Sequence, residues 1–353
     1  MRAVWACALL SSLVLGCGAC GAQSQPAPAE QSADPVEAET APDDPAPDGV
    51  LGAMSPEAEA QLVEQLNADP SFQQAAADFA AESSTHPVTC PPHEEWPEGM
   101  ACVLGGTFTL GDADGQANEQ TPGEVYVDSF FMDLTEVTNE AYEECIQSGT
   151  CVRQMPFRRF MRPRQPAVAM SWFDALHHCE RLGKRLPTEA EWERGAAGPD
   201  NTRFPWGDEE PEGCEMALVK NAEGEGCGRE ITSPVGSYPA GHWGLFDMAG
   251  NVHEWVNDRY SECLTGCDRE CGDACFGDNP RGPCGGGLER CPRYGMRSVR
   301  GGSWYWPLER SRAQARRGSG APNRGPHRFG FRCARDLTVP DPTVPGDGEN
   351  TED

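Results

Sequence analysis

Between Cys20 and Cys151 the chain has no lysine and no arginine, and after residue 16 it has no apolar run approaching the roughly 20 residues of a membrane-crossing helix. The second absence excludes a polytopic membrane protein. The first removes nucleic acid as a partner, because binders of a phosphate backbone concentrate Lys and Arg where they displace counterions. Residues 18–152 hold 26 acidic and no basic residues, residues 153–335 hold 24 acidic and 27 basic, and residues 336–353 add six acids. The acidity behind the net charge of −28 thus lies mainly in the segments flanking residues 153–335. Hydrophobic residues make up only 38% of the 353 and aromatic residues 8%, so part of the chain cannot bury enough surface to fold compactly. GxSxG, HExxH, a phosphate-binding glycine loop and an EF-hand pattern are all missing, which removes the hydrolase, metalloprotease and nucleotide readings that rest on them.

What is there begins with Arg2 and an apolar stretch from Ala3 to Leu15, the shape of an export signal over residues 1–17. It ends in Val14-Leu15-Gly16-Cys17, similar to a bacterial lipobox, which makes Cys17 the expected lipidation site; the alternative is an ordinary cleaved signal in which Cys17 is incidental. Acyl chains bury about 0.8 kcal/mol per methylene, so the expectation is a protein held on a membrane by a lipid anchor, at the bacterial cell envelope. Residues 18–54 are rich in Pro, Ala and acids and predict a disordered linker. Residues 55–89 predict a short helical stalk, with Ser55 capping, Pro56 at the first helical position, and Leu62, Val63 and Leu66 at helical spacing. A main domain is expected over 90–336 and an acidic disordered tail over 337–353.

Fourteen cysteines lie between Cys90 and Cys333, an even number in an exported chain, and they predict disulfides. Six fall in the segment 263–291, which has no CxxC pair and no His; it reads as a stapled insertion rather than a zinc or iron–sulfur site. Val125, Val127, Phe130 and Phe131 read as strand, with a helix beginning at Thr138. Ser171 with Asp174, and Thr188 with Glu191, are capping boxes. The first precedes a helix with Trp172, Ala175, Leu176, Cys179 and Leu182 on one face, ended by Gly183; in the second, Trp192 points inward. His177 and His178 are adjacent rather than four apart, which favours surface or core-edge residues over a metal pair. Ten arginines between Arg297 and Arg335 leave two readings, salt bridges with stacking on Trp304, Tyr305 and Trp306, or an anion site.

Six segments, GGTFTLG, PAVAMSWFDALHHCERLGKRLPTEAEWERGAAG, FPWGDEEP, TSPVGSYPAGHWGLFDMAGNVHEWVNDRY, VRGGSWYW and FGFRCAR, stand in the order found in the formylglycine-generating enzyme (sulfatase-modifying factor) superfamily. The chain resembles that superfamily over about residues 96 to 336. The resemblance implies an α+β, loop-rich, disulfide-rich fold related to C-type lectins. It also implies copper-dependent oxidation of a sulfatase cysteine to formylglycine, or related chemistry at a non-haem iron. The copper cysteines of the family follow its GGS motif, and here those two positions are Trp306 and Ser311. Neither supplies the soft thiolate that Cu(I) requires, so no copper and no catalytic residue is expected. Upstream histidines for an iron site are limited to His86 and His93. The resemblance pairs Cys179 with Cys333. It places a calcium ion at Asp247, the carbonyls of Gly250 and Val252, and Glu254, unless the two acids only cap turns and pair with arginine. A second calcium site of the family falls on Leu218 and Cys227, where a Cys214–Cys227 disulfide would replace the metal. Expected, then, is an envelope-anchored binding or scaffold module whose pocket, around Ser303, Trp304 and Trp306, takes an unknown protein or small ligand; the alternative is an enzyme of the same superfamily with a divergent active site.

Overall fold

Polar caps decide where the helices begin in the computed structural model, which describes residues 89–154, 156–262, 264, 275–283, 296–319 and 325–337. The signal peptide with Cys17, the linker, the stalk up to residue 88, most of the cysteine-rich insertion and the tail from 338 lie outside the described residues. Helix α1 is Asn139–Gln147, and Thr138 Oγ1 accepts the Ala141 N–H at 3.2 Å. Helix α2 is Trp172–Arg181, with the Ser171/Asp174 capping box formed in both directions, and α3 is Glu189–Ala197 with the Thr188/Glu191 box. Trp172, Ala175, Leu176 and Cys179 of α2 are buried, and so is His178. Two expectations are corrected here. Leu182 is 45% exposed, because the helix stops one residue earlier and the chain turns outward. His178 is a core residue, stacked on Tyr142 and edge-on to Phe331, while His177 alone is exposed.

Ten short strands form three sheets among the described residues. Strands β1 (Met100–Val103) and β10 (Ala334–Asp336) flank β4 (Phe130–Asp133), both antiparallel to it. Strand β3 (Gly123–Val127) lies between β2 (Gly106–Leu110), antiparallel, and β6 (Gly277–Asp278), parallel. The continuous strand expected over Val125–Phe131 is thus two strands in two sheets. The chain breaks at Asp128 and Ser129, where the backbone N–H of Asp128 goes to Asn279 and Ser129 Oγ accepts from Gly105. The third sheet runs β8 (Arg316–Ser319), β7 (Arg297–Arg300), β5 (His253–Arg259), β9 (Phe329–Gly330).

Helix α3 is buried along its whole length, although it carries three glutamates and an arginine. A buried charge is tolerated when it is paired and hydrogen-bonded. Both Glu189 oxygens take Arg316 at 2.8 Å, and Glu193 pairs with Arg300. The Arg194 guanidinium donates to the carbonyls of Leu104, Gly105 and Gly198. Around this helix and its buried Trp192 pack Phe130, Met132, Trp243, Met248 and Val256; a second core gathers Trp172, Leu176, Trp255, Phe329 and Phe331. Disulfides join Cys90 to Cys102, Cys145 to Cys151, Cys179 to Cys333 and Cys214 to Cys227. The third ties α2 to the segment entering β10, with the two Cα atoms 5.6 Å apart. The result is an α+β, loop-rich domain, with short strands presenting long connections.

Candidate functional site

Strand β7 ends at Arg300, and the chain turns at Gly301 and Gly302, both with φ in the left-handed region. A side chain on Gly302 would overlap Ser311 Oγ, so only glycine brings the two arms of this loop together. The turn is docked by backbone bonds from three directions. Gly250 N–H donates to Gly301 O at 2.7 Å, Trp304 N–H to Asn251 O at 2.9 Å, and Lys220 N–H to Trp306 O at 2.9 Å. Ser303 and Ser311 are fully buried, Trp304 is buried against Phe160, and Trp306 is half-buried. The hydroxyls of Ser303 and Ser311 and the indole N–H groups of Trp304 and Trp306 are buried without a hydrogen-bond partner. The two family copper positions thus stand in one loop, but an indole N–H has no lone pair to donate and a serine hydroxyl is un-ionised. This donor set does not fit Cu(I). Among the described residues the one close grouping of metal-ligand types is Cys145, Cys151 and His178, and its two cysteines are disulfide-bonded to each other.

The Asp247 loop is built differently from the arrangement the resemblance implies. Glu254, in β5, is fully buried, and its carboxylate is claimed by Arg332: Nε donates to Oε2 and Nη2 to Oε1, each at 2.7 Å. The Trp192 indole N–H adds a third bond to Oε2 at 2.8 Å. Glu254 is therefore the counter-ion of Arg332, which is the alternative that the sequence sets beside its place at a calcium ion. Asp247, at φ 56°, accepts the Gly236 N–H at 2.6 Å, and beside it stands Glu136, which sequence reasoning missed. Glu136 Oε1 accepts from Asn251, while its Oε2 is buried without a partner. Burial first, and the neighbouring Asp247 second, hold the Glu136 carboxyl well above the usual range; burial raises Asp247 to about 6. Three buried carboxylates against one guanidinium leave an excess that protons or a hard cation must balance. The donor set fits such a cation through Asp247 and Glu136, with the carbonyls of Gly250 and Val252 in the roles the resemblance gives them. The second calcium position is closed: Leu218 is fully buried, and Cys227 is bonded to Cys214.

His253, the residue before Glu254, is 4% exposed, and neither ring nitrogen makes a geometrically sound hydrogen bond. Burial, with Arg317 next, lowers its pKa to about 3, so the ring is neutral at ordinary pH. No local pattern in the sequence could have signalled Glu136, Arg332 or His253, because each acquires its role from a partner far along the chain.

The family model for the sulfatase-modifying factor enzyme 1-like domain matches residues 86–337. The chain is 38% identical to the formylglycine-generating enzyme of Streptomyces coelicolor, covering 75% of this chain and 97% of that one. It is 33% identical to the serine/threonine-protein kinase pkn1 of Chlamydia pneumoniae over 67% of this chain, and spans only 38% of that kinase's length. Among solved structures it is similar to PvdO from Pseudomonas aeruginosa, at 28% identity and a TM-score of 0.54, over 67% of this chain and 94% of that one. The Treponema denticola variable protein 1 shares the fold at 21% identity and a TM-score of 0.55, over 67% and 95%.

Proposed function

The chain belongs to the sulfatase-modifying factor family, and we propose that within it this protein is a binding module whose pocket no longer oxidises a thiol. The observation that carries the reading is the identity of two side chains. Trp306 and Ser311 occupy the positions of the copper thiolates, one with an indole that fills the space and the other with a fully buried hydroxyl. Without thiolates there is nothing in this loop to hold Cu(I) or to join a substrate cysteine on it. The loop is nevertheless kept in shape by Gly302 and three backbone docking bonds, as a recognition surface requires. Placement on the bacterial envelope through a lipid on Cys17, and a structural calcium ion at Asp247 and Glu136, belong to the same proposal.

The test is incubation of the purified protein with a sulfatase-type Cys-x-Pro-x-Arg peptide, copper and oxygen, followed by mass spectrometry of the peptide. Recovery of the unmodified thiol is expected. Conversion of the cysteine to an aldehyde would place the chemistry on residues other than the family pair and make the protein an enzyme.

A further inference from the structure

The arginines of the C-terminal third divide into two sets. Arg300, Arg312, Arg316 and Arg332 are buried, and each sits on a carboxylate. Arg317 and Arg328 have no ion-pair partner among the described residues, and Arg310 reaches only the neutral amide of Gln116. These three cluster on one face. The Arg317 guanidinium lies 5.3 Å from the centre of the Trp306 ring, and that of Arg328 lies 5.4 Å from Tyr305. The two rings meet edge to face, 5.3 Å apart. Arg317 and Arg310 also line, with Trp306 and His253, a cavity of about 20 Å³. Such a cavity has room for about one water or one ligand oxygen.

This face is unbalanced in two respects. Its cations repel one another: burial and then Arg317 lower the pKa of Arg328. Its donors are also unspent, since Trp306 Nε1 and Arg328 Nε have no partner. In a chain of net charge −28, three cations with no carboxylate partner among the described residues, gathered on one aromatic patch, favour a local anion. Guanidinium forks match planar or tetrahedral oxyanions in bidentate fashion, and here Arg317 is exposed to an incoming ligand while Arg328 and Trp306 are half-buried behind it.

We propose that this face binds an oxyanion carried by a small ligand, a carboxylate or a sulfate group, held by Arg317 and Arg328 against the Trp306 ring. One anion oxygen reaches the cavity over His253, and the body of the ligand lies on Tyr305 and Trp306. The inference deepens the binding-module reading and rests on it for the purpose of the loop, since it supplies the chemistry of what is bound there.

The experiment titrates the full chain with sodium benzoate and, separately, with sodium sulfate, each against sodium chloride at equal ionic strength. Binding is followed by calorimetry and tryptophan fluorescence. Saturable binding of one salt in the range of about 1 mM is expected, and the tighter of the two identifies the group. Arg317→Gln and Arg328→Gln should each weaken it about tenfold, and Trp306→Phe should remove the fluorescence change while leaving the melting temperature of the ligand-free protein in place. Arg317 is exposed, so Arg317→Gln decides the matter should Arg328→Gln impair folding. A response to both salts no larger than that to chloride overturns the proposal, as does binding unchanged in Arg317→Gln. Peptide oxidation is read separately: a protein that oxidises the peptide and binds the anion defeats only the non-oxidising reading, and an inert protein that binds neither salt defeats only this one.

Discussion

A single carboxyl group shows how the buried charges set the pH response. Asp258 is 2% exposed, and its Oδ2 accepts the Glu189 N–H at 2.8 Å. Burial, followed by the charge of Glu189, raises its pKa from the usual 3.8 to about 8. The folded state therefore holds a proton that the unfolded chain releases. Stability from this group is full below about 4 and is lost as pH climbs towards about 8. Asp258→Asn keeps the acceptor and never ionises, so its melting temperature should fall less between those limits than that of the wild type; parallel profiles would count against the assignment. Asp247, at about 6, adds a similar loss at lower pH in both proteins, and the difference between them isolates Asp258. At neutral pH the ionised Asp247 and its neighbour Glu136 are where added calcium should act. A ligand bound by the folded state alone raises stability by about 2.7 kcal/mol at a hundred times its dissociation constant. Chelator should lower the melting temperature of the wild type and have little effect on Asp247→Ala or Glu136→Gln; a wild type indifferent to chelator would remove the ion.

Elements divide into those whose cause is local and those whose cause is distant. The starts of α1, α2 and α3 were legible, since a capping residue and its partner lie within three positions. The split between β3 and β4 was not, because Asn279, which takes the backbone at Asp128, is 151 positions away. The same holds at the candidate site. The GGS turn and its two replaced cysteine positions could be read directly, whereas the particular arginine that Glu254 takes, Arg332, lies 78 positions away and no local pattern names it. The disulfide from α2 to the segment before β10 also spans 154 positions, but the family resemblance pairs Cys179 with Cys333 and the bond is formed. In the chain-entropy account a loop of that length contributes about 5 kcal/mol, through the unfolded state. Replacing Cys179 and Cys333 together by Ser should lower the free energy of unfolding in denaturant titration by about that much. A loss below about 1 kcal/mol would mean that the reduced chain retains the proximity without the bond.

At the scale of the whole molecule, no helix among the described residues is long and apolar enough to cross a membrane. Attachment is proposed to rest on Cys17 alone. Cys17→Ala should move the protein from the membrane fraction to the soluble one and abolish acyl labelling; a mutant that still sediments with membranes would show that another segment holds it. Under the proposed anchor, a pull between the N-terminal flank and the residues beyond 337 would be met by the first sheet. Strands β1 and β10 run parallel to each other on either side of β4, so tension between the flanks loads their hydrogen bonds in shear, all at once. Force entering before Cys90 crosses to Cys102 through their disulfide, and force leaving after Cys333 arrives from Cys179 through theirs. By these bonds, the chain that can be drawn out is the stretch between Cys102 and Cys179, less the loop closed by Cys145 and Cys151. The described residues between 180 and 332, with the GGS loop and the arginine face, lie inside the loop that the Cys179–Cys333 bond closes, so a pull between the flanks bypasses them.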